Sequence, residues 1–375
     1  YTIQDWTYSG VDPVTGAPVL GDKLGEPVIV NGESGATPDP RSVADRNLRP
    51  YSQDEYILGF QHRISSDHPF LDNWTVGAKA IYRKLNNAID DTCDWRPFYE
   101  YGKSIGLDMD AHGDQFTPPP NTPGCFIYNP GKSLTLDLDL DGSGQLRPVT
   151  IPADRFGNKA KRSYQGIVLS AEKGNARWYA NVSYTWSKNY GNTEGLVKSD
   201  NGQSDTGTTQ DFDYPELGIG SNGYLPNDRR HSFKAYGAYK FSSEWSVGLN
   251  MLVLSGRPKN CFGGGAGAPI ANGIPSYNSA YFWCEGDIAP RGSRGRTPWT
   301  WTLSPNVVYT PTWAKGLTLK LDVINAFNNT KPIAVNEVGE RQPGANPTTY
   351  YNTTYGIPTS YQTPRYFRLM AQYDF

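Results

Sequence analysis

The stretch RWYANVSYTWSK, Arg177–Lys188, decides the fold class. Trp178, Ala180, Val182, Tyr184 and Trp186 alternate with Arg177, Tyr179, Asn181, Ser183, Thr185 and Ser187. Successive side chains of a strand point to opposite faces, so this period of two describes a strand with one apolar and one polar face. Working outward, the pattern repeats. Upstream, Tyr56, Leu58, Phe60 and Ile64 share a face, then Trp74, Val76, Ala78, Ala80 and Tyr82, with a third strand near Arg162–Glu172. Downstream, Phe233, Ala235, Gly237, Tyr239 and Phe241 share one, followed by Trp245, Val247, Leu249, Met251 and Val253. Trp299, Trp301, Leu303, Val307 and Tyr309 make the next stripe, and Leu317, Leu319, Leu321 and Val323 the one after. The chain closes on RYFRLMAQYDF, with Phe367, Leu369, Ala371, Tyr373 and Phe375 on one face.

Between these strands, short turns such as Lys173-Gly174-Asn175 alternate with long irregular stretches such as Asp91–Lys159 and Gly256–Thr297. A sandwich or propeller has no reason to gather every long loop at one end. A transmembrane barrel does, with short periplasmic turns and long extracellular loops. Trp and Tyr near both ends of the stripes match interface girdles. The expected fold is therefore all-β, an antiparallel transmembrane barrel.

Composition agrees. Aromatics make up 13% of the 375 residues, which excludes disorder, and 40 Gly with 29 Pro favour strands and loops over helices. No run approaches the roughly 18 apolar residues of a membrane helix, but a spanning strand needs only about 9–11. With 35 basic against 37 acidic residues, no global field recruits nucleic acid. A chain starting at Tyr1 is expected to be a fragment or a processed product.

Several segments carry a family resemblance. NLRP at Asn47–Pro50 followed by Glu55 and Gly59, SGRP at Ser255–Pro258, and VINAFN at Val323–Asn328 resemble barrel motifs of TonB-dependent receptors. SYTWSKNYGNTEGL at Ser183–Leu196 and NDRRHSFKAYGAYKF at Asn227–Phe241 resemble the Oar-like branch, and the terminal Phe375 resembles an outer-membrane assembly signal. The resemblance implies an outer-membrane transporter of a Gram-negative bacterium, a plugged barrel of the 22-stranded kind of which these are the last nine strands. It also implies the TonB complex, outer-membrane lipid and lipopolysaccharide, the barrel-assembly machinery and an unidentified solute as partners. Residues 1–50 are then expected to be the extracellular loop of the preceding hairpin, and residues 51–375 the C-terminal barrel segment. The plug and the N-terminal strands are not among these residues. A secreted or surface β-rich adhesin or glycan-binding protein, with Tyr and Trp as ligand platforms, is the alternative.

On the transporter reading, the candidate solute-facing residues are Lys79, Arg83, Asn181, Lys234, Tyr236, Asn250 and Arg257. Of the four cysteines, Cys93 and Cys125 fall in one long loop and Cys261 and Cys284 in another, so loop membership favours those two disulfides. DLDLDGSGQLRP at Asp137–Pro148 imitates an EF-hand start, but Pro148 stands where the bidentate Glu belongs. A hairpin turning at Asp141-Gly142 explains the alternation with Leu134, Leu136, Leu138 and Leu140 more simply. GIGSNG at Gly218–Gly223 follows no strand, and His62, His68, His112 and His231 lack partners at catalytic spacing, so neither an enzyme nor a cofactor is expected.

Overall fold

The computed structural model describes residues 2–29, 39–68, 70–119, 122–203, 205–263, 280–340 and 351–375. They divide into two units.

The first unit comprises Tyr1–Pro50, Ile89–Lys159 and Phe212–Tyr214. It has a dense aromatic core. Trp95, Phe98 and Phe126 pack with ring centroids 4.9–5.3 Å apart, and Tyr128 meets Phe156 at 5.5 Å. The helix Arg96–Ser104 delivers Phe98 and Tyr99 to that core, and its early Pro97 replaces a backbone donor that helix starts leave unpaired. Strands Leu134–Leu138 and Arg147–Ile151 pair as an antiparallel hairpin, with Leu134, Leu136, Leu138 and Leu140 buried. The Asp139 carboxylate accepts the backbone N–H groups of Ser143 and Gly144 at 3.0 and 2.7 Å, so it braces the hairpin's own turn. Residues 1–50 are not loop alone. Thr2–Val11 and Pro18–Ile29 form an antiparallel pair joined by a turn in which Asp12 caps Val14 and Thr15.

Cys93 and Cys125 are bonded in this unit, and Cys261 and Cys284 in the other. Closing the 32-residue separation of the first pair removes denatured-state entropy equivalent to about 3–4 kcal/mol in the chain-entropy model. Non-reducing peptide mapping is expected to recover both links. Cys93→Ser with Cys125→Ser should loosen the aromatic core, read as loss of protease resistance in residues 89–159.

The second unit carries the main sheet. Its strands are β1 (Ser52–Arg63), β2 (Thr75–Asn87), β3 (Arg162–Gly174), β4 (Trp178–Gly191), β5 (His231–Lys240), β6 (Trp245–Leu254), β7 (Thr300–Tyr309), β8 (Leu317–Ile324) and β9 (Tyr366–Tyr373). Each pairs antiparallel with its sequence neighbour, so the order in space follows the order in the chain, with β1 and β9 at the edges. A short strand, Gly223–Tyr224, adds to the end of β4.

The registers carry the apolar stripes across the whole sheet. Leu58 faces Ala80, Ala78 faces Leu169, and Leu169 faces Tyr184. Tyr184 faces Phe233, Ala235 faces Met251, and Met251 faces Leu303. Val307 faces Leu321, which faces Leu369. A shift of one residue in any pair would turn its stripe to the other face.

Aromatic rings gather at both ends of this face. Beside the short turns, Trp74 meets Trp178 at 6.2 Å and Trp245 stacks on Tyr309 at 4.3 Å. Toward the long loops, Tyr56 meets Tyr82 at 6.3 Å and His231 stacks on Trp299 at 5.6 Å. No core covers the apolar face among the described residues. Among the described residues, Leu85 at the end of β2 is the one buried apolar side chain that the nine strands supply. Leu58 is 81% exposed and Leu369 78%.

The resembling motifs acquire physical reasons here. In Val323–Asn328, Asn325 takes a left-handed conformation (φ 50°) and donates to the carbonyls of Asn329 and Thr363, both at 2.9 Å. Asn328 accepts the Arg365 N–H at 2.9 Å, so the two asparagines staple the end of β8 to the start of β9. In Ser255–Pro258, the Ser255 hydroxyl accepts the His231 N–H at 3.0 Å. A Cβ on Gly256 would lie 1.6 Å from the Thr297 carbonyl oxygen, so only glycine lets the two chain segments approach so closely.

Candidate functional site

The polar face of the sheet is built by the same registers. Asn181, Tyr236 and Asn250 stand side by side on β4, β5 and β6. Asn181 donates to Glu172 at 2.8 Å, the Tyr179 hydroxyl donates to the same carboxylate at 3.2 Å, and the Tyr179 and Tyr236 rings lie 5.8 Å apart. Arg83 pairs with Glu55 at 2.6 Å and lies over the Tyr164 ring at 5.4 Å. Lys234 stands opposite Ser183 and Leu252. Arg83 and Lys234 border one concavity of about 600 Å³ at the loop end of the strands. Lys79 stands apart from it, opposite Gly59 and Val168.

Arg257 is a correction. It is buried beyond the end of β6 and pairs with Glu337, so it is not available to a solute on the polar face. Its guanidinium belongs to an ionic cluster that ties three loops together. Lys198 and Asp211 of the β4–β5 loop pair at 2.7 Å. Arg291 of the β6–β7 loop reaches Asp211 at 2.9 Å and Asp200 at 3.2 Å. Asn260 donates to Asp200 at 3.2 Å and to Glu337 of the β8–β9 loop at 2.7 Å. Arg291 also lies 4.7 Å over the Phe282 ring, beside the Cys261–Cys284 bond.

Three cations, Lys198, Arg257 and Arg291, thus meet three carboxylates, Asp200, Asp211 and Glu337. Burial pushes Asp211 upward, but Lys198 and Arg291 outweigh it and hold the carboxyl below its usual value. Glu337 goes the other way: burial dominates over Arg257 and lifts it to about 7. The sign follows. Between its ordinary value of 4.5 and about 7, the assembled loops bind a proton that the separated loops do not, so acidification stabilises the assembly. Hydrogen-exchange protection factors of the β8–β9 loop, taken relative to the intrinsic rate at each pH, are expected to rise from pH 7.5 to pH 5, and Glu337→Gln should flatten that dependence. Glu194, also raised by burial, adds in the same direction.

None of this cluster was visible in the sequence. Its members come from three separate loops, and no spacing marks a charge as buried.

No family model matches the chain. Over 304 residues, 79% of this chain, it is 28% identical to the TonB-dependent transporter Oar of Myxococcus xanthus. The chain is thus similar to that TonB-dependent transporter. It spans 22% of the length of that relative. That relative is a transporter. Among solved structures, the ferric-catecholate import receptor Fiu of E. coli is similar with a TM-score of 0.41 and 13% identity, covering 99% of this chain and 40% of that one. The E. coli outer-membrane transporter YddB is similar with a TM-score of 0.45 and 12% identity, covering 88% and 33%.

Proposed function

We propose that residues 51–375 are the C-terminal part of the barrel wall of a TonB-dependent outer-membrane transporter, which takes up an unidentified solute with energy relayed by the TonB complex. One observation supports this reading above the others. The sheet turns an apolar face, rimmed by aromatic rows, away from any core. A soluble adhesin with this sheet would expose that face to water and aggregate, whereas lipid is its natural solvent.

On this reading the nine strands are the last nine of a 22-stranded barrel, the short turns are periplasmic and the long loops extracellular. The polar face lines the lumen, where Lys79, Arg83, Asn181, Lys234, Tyr236 and Asn250 meet the solute. The stripe Phe367, Leu369, Ala371, Tyr373 and Phe375 presents the assembly signal to the barrel-assembly machinery. Open sheet edges are not tolerated in lipid, so β1 must pair onward.

Fractionation of cells producing the receptor with its native flanking sequence tests the proposal. The expected result is an outer-membrane protein that needs detergent and migrates faster unheated than boiled. A protein that stays monodisperse in detergent-free buffer would overturn it in favour of the adhesin.

A further inference from the structure

We propose that the concavity at the loop end of the polar face binds the carboxylate or phosphate groups of an anionic solute; this rests on the transporter reading above. The space, about 600 Å³, is of the size that small-molecule sites have, roughly 300–1,000 Å³. Four cations border it: Arg83 near the end of β2, Arg162 at the start of β3, Arg229 just before β5 and Lys234 within β5. Among the described residues that border it there is no carboxylate; the rest are Leu85, Leu252 and Leu254 together with Tyr164 and uncharged polar side chains such as Asn189 and Asn227.

One of the four is neutralised, Arg83 by the half-exposed Glu55. Arg162 donates to the Glu194 backbone carbonyl and lays its guanidinium over the Tyr51 ring at 5.6 Å. Arg229 donates to the Ser255 carbonyl at 3.1 Å. These partners position the guanidiniums without cancelling their charge. Lys234 has a serine and a leucine across the sheet from it. Burial presses the Arg229 pKa down, with Arg257 and Arg296 adding to it and Asp228 opposing them. On β8 and β9 of the same face a carboxylate balances the bases: Asp322 lies 3.0 Å from Lys320 and 2.8 Å from Arg368.

Like charges on the wall of a concavity focus field and gather counter-charge. Guanidinium forks match the two oxygens of a carboxylate or phosphate, and a lysine adds a point charge that needs no fixed geometry. Together they select an oxyanion over a neutral or cationic solute.

Calorimetry on the complete receptor in detergent at low salt tests the assignment, with pyrophosphate as the phosphate probe and tricarballylate as the carboxylate probe. The variants are Arg162→Gln with Lys234→Gln, Lys234→Met alone, and Arg177→Gln at an exposed turn as control. Wild type and control are expected to bind at least one probe, and added salt should weaken binding. The double variant should lose about tenfold or more, and Lys234→Met an intermediate amount, each with the heat-modifiable band retained. A folded wild type that binds neither probe, or variants that bind as well as wild type, would overturn the oxyanion assignment and leave the transporter reading standing. A wild type without a heat-modifiable barrel would strike the transporter reading itself.

Discussion

Val182→Arg is expected to cost barrel assembly about 2–4 kcal/mol, the depth-dependent penalty for a charge on the lipid face near the bilayer midplane. Val182 sits at mid-strand on β4, between Ala171 of β3 and Ala235 of β5. Ser170→Arg provides the contrast. Ser170 lies on the polar face between Gly77 and Ser183, and an arginine there reaches water without crossing lipid. The heat-modifiable fraction in the complete receptor measures both. Val182→Arg should deplete it severely and Ser170→Arg only slightly. Equal damage from the two would mean that the faces are assigned wrongly.

The second large effect concerns the loops. Arg291→Met is expected to cost the loop assembly about 3–5 kcal/mol, because removing one partner from a buried ionic cluster strands the others. Asp211 would keep Lys198 at 2.7 Å, but Asp200 would lose its guanidinium while remaining buried. Hydrogen exchange in residues 192–211 and 280–297 should accelerate by two orders of magnitude or more, while the strands keep their protection. Arg294→Met is the control. Its pair with Glu285 spans 3.5 Å and is largely exposed, so its loss should cost no more than about 1 kcal/mol. Comparable exchange in the two variants would show that the cluster does not hold the loops.

The sheet was legible in the sequence because period two persists along each strand and every strand repeats it. Tyr184, placed on the apolar face by alternation alone, indeed stands between Leu169 and Phe233. Both disulfides were legible because each pair shares a loop. The hairpin Thr2–Val11 with Pro18–Ile29 was not, since register shifts at Ile3/Asp5, Trp6/Tyr8 and Tyr8/Gly10 break its alternation. The helix Arg96–Ser104 spans nine residues, too few turns for a helical period to stand out.

The loops were the least legible part. Lys198, Asp211, Arg291 and Glu337 read as solvated surface in one dimension, and only the folded loops bring them together and exclude water. Arg257 was misplaced for the same reason, as a residue that appears to continue β6 but turns into the cluster. On the polar face, alternation identified Arg83 and Lys234 separately. That they share a concavity with Arg162 and Arg229 depends on registers that no single strand encodes.

The apolar face meeting lipid is the central claim, and nitroxide scanning along β4 tests it most directly. Single cysteines at positions 180 to 185 of the complete receptor, reconstituted in lipid, would be labelled one at a time; the native cysteines are bonded to each other. Collision rates with oxygen, which concentrates in the bilayer, and with a water-soluble nickel chelate would then be compared. The predicted result is a period of two, with oxygen maxima at Ala180, Val182 and Tyr184 and nickel maxima at Asn181, Ser183 and Thr185. Nickel access at the even positions equal to that at the odd ones would contradict it.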